Sequence, residues 1–277
     1  MCFTSPKFPL IQPLSAVWEF VPIRSLTKMD DECGQWERLA GEFAEAEKYF
    51  QAANQYKQAA SCYLEHSVDM TRKSAEYYHR YAEMTYEKGD HKTAALAYFE
   101  AANQYRQVDE QAIALTLFEN AAREALEEGL TETAAQSYLW AAHACHKLGN
   151  TDYFLTCAGE MAKLYDNAAE EALQDGKAER ALIDLSLAAM GFATIEKIPE
   201  AKKRIDRAKR IVDKTSWDWL KTLLSFSQAL TENRFDDAQD LLKMFKQEET
   251  IQGVMDACLS ILEEREKRRR KTAAKKP

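Results

Sequence analysis

The sequence predicts an all-α protein, a right-handed α-solenoid of antiparallel helical hairpins that ends in a C-terminal helical bundle. Three observations support this fold class. No proline lies between Pro22 and Pro199, so this long stretch can be helical almost throughout. No segment shows the sustained polar–apolar alternation of a half-buried strand. Turn signals recur after about twenty residues, which predicts helices of roughly 15 to 20 residues.

One spacing occurs four times along the chain. A glycine or asparagine ends one helix, and small or apolar residues then follow at five, nine and twelve positions, on one face of the next helix. Small side chains on such a face let a neighbouring helix approach closely. The pattern is typical of tetratricopeptide-like hairpins. Its copies are Gly89, Ala94, Tyr98 and Ala101; Gly129, Ala134, Tyr138 and Ala141; Gly176, Ala181, Leu185 and Ala188; and Asn233, Ala238, Leu242 and Phe245.

The sequence defines the helix near Pro199 clearly and the first hairpin less clearly. The helix that opens near Pro199 carries a clean inward seam in steps of three and four, formed by Ile198, Ala201, Ile205, Ala208 and Val212. The first hairpin is ambiguous. The segment YFQAANQYKQ at residues 49–58 recurs as YFEAANQYRQ at residues 98–107, but Gly41, Ala46, Phe50 and Ala53 fit the small-residue spacing one position out of phase. The sequence leaves the register of this hairpin open.

Composition divides the chain into four parts. Residues 1–28 hold four of the six prolines and are predicted to be an apolar N-terminal arm, or an extension upstream of Met29. Residues 29–214 are predicted to form the hairpin array and residues 215–264 the C-terminal bundle. Residues 265–277 are predicted to be a basic tail, with an extended final helix as the alternative. The apolar runs are shorter than the roughly 18 residues of a membrane span.

The six cysteines are scattered and form no CxxC pair, which favours a reducing, cytoplasmic location. We expect Cys62 and Cys145 to pack as small hydrophobes. A zinc site would need His143, Cys145, His146 and Cys157 to converge. The helical spacing turns Cys145 toward the core and His143 away from it, so neither a metal nor another cofactor is predicted.

Signs of catalysis or of nucleic-acid binding are weak. The phosphate-binding patterns GxxxxGK[ST] and GxGxxG and the nucleophile elbow are missing, so we do not expect an enzyme. Six tyrosines could form a stacking platform for bases. However, helical spacing places Tyr78, Tyr98 and Tyr105 on packing faces, and few basic residues are interleaved with them. Nucleic acid is therefore not an expected partner.

Charge is distributed unevenly. The formal net charge is −8, although residues 197–214 hold eight basic and three acidic residues. Helical spacing places five of these cations, Lys202, Lys203, Arg207, Lys209 and Arg210, on the outer face opposite the apolar seam. All but Lys209 are candidate partner-binding residues. This face is either solvated or a docking patch for an acidic helix or an anionic surface, because clustered charge raises encounter rates.

Several segments resemble the soluble NSF attachment protein family, of the alpha-SNAP type. They are EAEKYFQAANQYK at residues 45–57 and HKTAALAYFEAANQYRQVDEQAIAL at residues 91–115, followed by EEGLTETAAQSYLWAA at residues 127–142. The likeness returns faintly in WLKTLLSFSQALTENRFDDAQDLLKMF at residues 219–245. Members of this family are stretched helical hairpins capped by a small bundle. They lie along a SNARE coiled coil and recruit an AAA+ ATPase during vesicle fusion.

The resemblance implies a non-enzymatic adaptor. Arg106 and Lys57 match basic family positions that hold the acidic partner, whereas Leu130 and Gln136 stand where further positive charges are expected. The basic end of this chain replaces the acidic tail that stimulates the ATPase. The N-terminal arm is a candidate for peripheral membrane contact. The alternative hypothesis is a general tetratricopeptide scaffold or regulator that binds a peptide or a larger assembly, without a SNARE or an ATPase.

Overall fold

The computed structural model describes residues 23–63, 66–214, 217–245 and 249–273. Within these ranges the chain forms twelve α-helices and a single 3-10 turn, and it contains no strand, so the all-α prediction is confirmed. The predicted N-terminal arm lies outside the described residues up to position 22. The helices are α1 (Ile23–Glu45), α2 (Tyr49–Cys62), α3 (Ser67–Glu87), α4 (His91–Gln107), α5 (Gln111–Glu127), α6 (Thr131–Lys147), α7 (Thr151–Gln174), α8 (Ala178–Thr194), α9 (Ile198–Lys209), α10 (Asp218–Thr231), α11 (Phe235–Met244) and α12 (Glu249–Ala273).

Eight of the helices begin in the same way. Each starts two residues after a residue whose backbone is left-handed, with φ between 56° and 75°. The amide that follows this turn residue donates to a carbonyl five positions back, as from Asp90 N to Thr85 O at 2.9 Å. This is the Schellman motif, which closes one helix and redirects the chain. The turn residues are Glu47, Gly89, Asp109, Gly129, Gly149, Gly176, Glu196 and Asn233.

The predicted small-residue spacing holds in all eight helices, four more than the sequence indicated. Positions five, nine and twelve after the turn residue are buried throughout, except that Tyr138 and Leu242 are half-buried. In α2 these positions are Ala52, Tyr56 and Ala59, counted from Glu47. The register of the first hairpin is therefore settled, and the duplicated segment lies two helical turns nearer the start of α2 than of α4.

Consecutive helices pack against one another from α1 to α9, the arrangement of an α-solenoid. The right-handed twist and the antiparallel hairpins stay predictions. After α9, the chain adds α10 against α8 and α9, and α11 against α10. The last helix, α12, then returns along the array and packs on α6 and α8. No helix among the described residues is both long and apolar enough to cross a bilayer.

The helix boundaries differ from the predicted ones at both ends of the chain. Helix α1 begins at Ile23, ahead of the predicted start of the array at residue 29. Helix α12 continues to Ala273, so most of the predicted basic tail at residues 265–277 is an extended final helix. Its basic side chains form i,i+4 pairs along the helix, such as Arg270 with Glu266 at 2.9 Å. These pairs suit a solvated helical surface.

The prediction that Cys62 is a free thiol is wrong. Cys33 of α1 and Cys62 of α2 form a disulfide, with their Cα atoms 5.5 Å apart. Nothing in the sequence pairs them, because they stand 29 positions apart and meet only after α1 folds onto α2. The bond removes the support that the cysteines gave to a reducing compartment, since disulfides persist mainly in oxidising environments. Cys145 is fully buried, as expected.

The small-residue face makes a stability prediction. Ala134 is fully buried at the fifth position after Gly129, whereas Lys202 is exposed on α9. Replacing Ala134 by leucine forces a side chain into a packed helix contact and should lower the free energy of unfolding by about 1 to 3 kcal/mol. Lys202→Ala should change it by less than about 0.5 kcal/mol. Urea unfolding of both variants checks the assignment, and equal losses would show that the assignment of the buried and exposed faces is wrong.

Candidate partner-binding face

The even-numbered helices share one further face, beside the packed one. It is formed by the residues seven, ten and fourteen positions after each turn residue, which lie on one side because the steps are three and four. We call it the even-helix face. Its members are Asn54, Lys57 and Ser61 in α2; Leu96, Phe99 and Asn103 in α4; Gln136, Leu139 and His143 in α6; and Ile183, Ser186 and Met190 in α8.

Burial of the even-helix face rises along the chain. In α8, Ser186 and Met190 are fully buried, and in α6 Leu139 is 4% exposed. In α4, by contrast, Leu96 is 49% exposed. Lys57 in α2 is also exposed. At the tenth and fourteenth positions burial therefore increases from α2 to α8. At the seventh position Leu96 is exposed, whereas its equivalents Gln136 and Ile183 in α6 and α8 are half-buried.

Helices α10 and α12 provide the cover. The Ser227 hydroxyl of α10 donates to Ser186 O at 2.9 Å. At α6, α12 approaches so closely that a methyl group on Gly253 would lie 2.5 Å from His143 Cδ2. One turn further on, His146 Nε2 lies 3.8 Å from Asp256 Oδ2. Among the described residues, the extensive contacts of α12 are with α6, α8 and α11, and none of similar extent reaches α2 or α4.

The far end of α12 is fastened to the end of α8. Arg265 Nη1 donates to Thr194 O at 2.7 Å, which satisfies a carbonyl in the last turn of α8. Arg265 and Arg269 both reach Glu196, at 3.5 and 2.9 Å. Part of the basic end of the chain is thus committed to holding α12 on the array.

His143 is the most perturbed titratable group on the even-helix face. Burial lowers its pKa to about 4, and the positive charges of Arg106, Lys147 and His146 act in the same direction. Its ring lies edge-on to Trp140, and Nδ1 is buried without a hydrogen-bond partner. The imidazole of His143 is therefore neutral, and it packs from α6 against the backbone of α12 at Gly253.

Two of the residues predicted to bind a partner, Lys57 and Arg106, lie on or beside the open part of this face. Lys57 Nζ forms an ion pair with Glu100 at 3.1 Å and joins α2 to α4. The guanidinium of Arg106 stacks on Trp140, with its central carbon 4.2 Å from the ring centroid. Arg106 thus joins α4 to α6, and both cations make structural contacts within the array.

The other four predicted residues lie on α9 or, for Arg210, directly after it. Lys202, Lys203, Arg207 and Arg210 line an open groove of about 520 Å³, together with Pro199 and Asp206. Lys202, Lys203 and Arg210 are exposed, whereas Arg207 Nη1 contacts Glu170 of α7 at 2.5 Å. Reversing Arg106 or Arg207 to glutamate would consequently break contacts between helices as well as remove surface charge.

The residues considered for zinc are used in packing. The hydrogen bond between Cys157 and Cys145 and the burial of both raise the pKa of the Cys157 thiol, so its protonated form is favoured. His146 lies edge-on to Phe154, and His143 faces Gly253. In the described part of the chain, no group of three or more His, Cys, Asp or Glu side chains is placed to hold a metal ion.

Sequence reasoning missed the apolar residues of the open face and the contact between His143 and Gly253. Leu96 and Phe99 carry the signal in their spacing from Gly89, which repeats that of the half-buried Gln136 and the buried Leu139 from Gly129. Only knowledge of where α12 lies distinguishes the open copies from the covered ones. No protein-family model matches this sequence, and a comparison with curated proteins finds no match.

Proposed function

We propose that this protein is a non-enzymatic adaptor that holds an elongated helical partner along the open part of the even-helix face. One observation carries the proposal. The face receives a helix, α12, where α6 and α8 form it, and the same positions are open where α2 and α4 form it. A surface that already accepts one helix has the shape to accept another at the next repeats, as stacked hairpins commonly do.

The resemblance to the soluble NSF attachment proteins narrows this proposal. It favours a SNARE-like coiled coil as the partner and an AAA+ ATPase as the motor to which the coil is presented. Cytoplasmic action peripheral to a membrane belongs to the same proposal. The alternative is a general scaffold for a peptide or larger assembly. Presence or absence of an ATPase in the partner complex discriminates the two.

Site-specific photo-crosslinking tests the location and the type of partner. A photoreactive amino acid at position 96, introduced in cells, should crosslink to segments with the heptad pattern of a coiled coil. The same residue at position 202, on α9, is the matched control and should give few such products. Crosslinks at position 96 to extended, non-helical segments would favour the scaffold alternative. Heptad-containing products at position 202 only would move the binding surface to α9.

A further inference from the structure

The residues by which α12 contacts α6 and α8 indicate what kind of helix the even-helix face binds. Its buried residues include positions 251, 254, 255, 258, 259 and 262, the spacing of an amphipathic helix, with Ala257 at the edge of this stripe. All of them are less than a tenth exposed. They are Ile251, Val254, Met255, Ala257, Cys258, Leu259 and Leu262. The contact with α6 and α8 is therefore mainly apolar, with the ion pairs confined to its edges.

The open part of the face has two apolar members, Leu96 and Phe99, among polar ones, and the apolar residue Phe50 lies beside it. Leu96 is 49% exposed and Phe50, one turn before Asn54, is 45% exposed, with Phe99 half-buried between helices. The Phe50 ring packs against Tyr81, with centroids 5.2 Å apart, so it is held in place. A large exposed aromatic and a leucine on neighbouring helices are suited to anchor an apolar stripe.

Charge at this location is already compensated. Lys57 is neutralised by Glu100 at 3.1 Å, and the side chains of Asn54 and Tyr78 are bonded to each other at 2.8 Å. An acidic partner would have to compete with Glu100 for Lys57. Exposed ion pairs of this type contribute little to affinity, so such an exchange would strengthen binding little.

We propose that the partner segment is an amphipathic helix with an apolar stripe at i, i+3, i+4, i+7 and i+8, and that Phe50, Leu96 and Phe99 hold it by apolar contact rather than by charge. This inference rests on the proposed function, since it assumes that a helix binds on α2 and α4. Beyond that function, it specifies that the partner is recognised through apolar contacts. The pattern expected of the partner is the one that α12 already presents to α6 and α8.

A labelled peptide of residues 249–265 of this chain, with Cys258→Ser to prevent oxidation, serves as the probe. Fluorescence anisotropy against the full chain should detect binding that changes less than about twofold between about 0.05 and 0.5 M salt. Leu96→Lys and Phe50→Lys should each weaken it at least about tenfold. The matched control is Ile113→Lys, which alters an equally exposed apolar residue of α5 and should leave affinity unchanged. A peptide with Val254→Lys and Leu259→Lys should not bind.

Each other result overturns the inference. Binding that disappears at high salt and ignores Leu96→Lys would restore an electrostatic contact, and the proposed helix-binding function would survive. If the peptide of residues 249–265 does not bind while position 96 still crosslinks to a coiled coil, apolar recognition would be rejected and the proposed helix-binding function would survive. Concentration-dependent dimers that Leu96→Lys dissociates, observed by sedimentation without peptide, would assign the face to a second copy of the chain.

Discussion

Replacing Gly191 by leucine should destabilise the protein by about 3 kcal/mol or more, the largest effect we expect from a single substitution. A side chain at this position has no room. An added Cβ would lie 2.8 Å from Ala158 O and from Ala162 Cβ, and 2.9 Å from Met161 Cε. The first of these atoms belongs to the backbone of α7, which cannot turn aside as a flexible side chain does. Helices α7 and α8 would have to separate.

Alanine substitutions provide the matched comparison. Gly191→Ala should still cost about 2 kcal/mol, because the clash exceeds the gain in helix propensity. Gly41, in α1, has nothing within 4 Å of an added Cβ, so Gly41→Ala should raise stability by up to about 1 kcal/mol. Urea unfolding followed by circular dichroism measures both. A stabilising Gly191→Ala would mean that α7 and α8 pack less closely than described.

Acidification should loosen the contact between α6 and α12. The folded pKa of His143 is about 4, below its ordinary value of 6.5, so the unfolded chain binds the proton more tightly. The contribution of neutral His143 is thus fully present above pH 6.5 and is lost as the pH falls toward 4. At pH 5 the loss in unfolding free energy, relative to neutral pH, is about 2 kcal/mol. The proton would place a charge near Arg106, Lys147 and His146, with Asp256 as the nearby carboxylate on α12.

The His143→Gln variant separates this effect from other titrations. It cannot take up the proton, so the difference in unfolding free energy between wild type and variant should shrink by about 2 kcal/mol from pH 7.5 to pH 5. Global urea unfolding at both pH values gives the difference. A constant difference would mean that His143 titrates alike in both states, and hence that α12 does not bury it.

The local rules of the chain made much of the fold predictable. The pattern of a left-handed turn residue followed by small residues at fixed intervals spans only about fifteen residues, so four copies were visible in the sequence. Four more helices follow the same rule, with Glu47, Asp109, Gly149 and Glu196 as turn residues. Three of those four are not glycine, which hid them. The position of α12 was not predictable, because it depends on contacts such as Gly253 with His143, more than a hundred residues apart.

The candidate site was predicted less well, for a physical reason. Sequence spacing identifies which residues face outward but not what covers them, so the cations were visible and their partners were not. Arg207 reaches Glu170 on a neighbouring helix, and Arg106 lies flat on Trp140. A long arginine side chain often spans the gap between helices, and its apolar stem packs there. Leu96, whose exposure marks the open face, was not singled out in the sequence.

The return of α12 changes how the array shares its stability. A simple stack of hairpins behaves as a one-dimensional chain in which each unit depends only on its neighbours. Here one buried cluster runs from Ala53 to Leu262 and a second joins α7, α8, α9 and α10. Near the other end, Ala40, Tyr56, Ala59 and Met70 form a small core of their own. Helix α12 couples α6 to α8 directly, without passing through α7. We therefore expect the C-terminal half to unfold more cooperatively than a simple stack, whereas the disulfide-linked α1 and α2 pack mainly on each other and on α3.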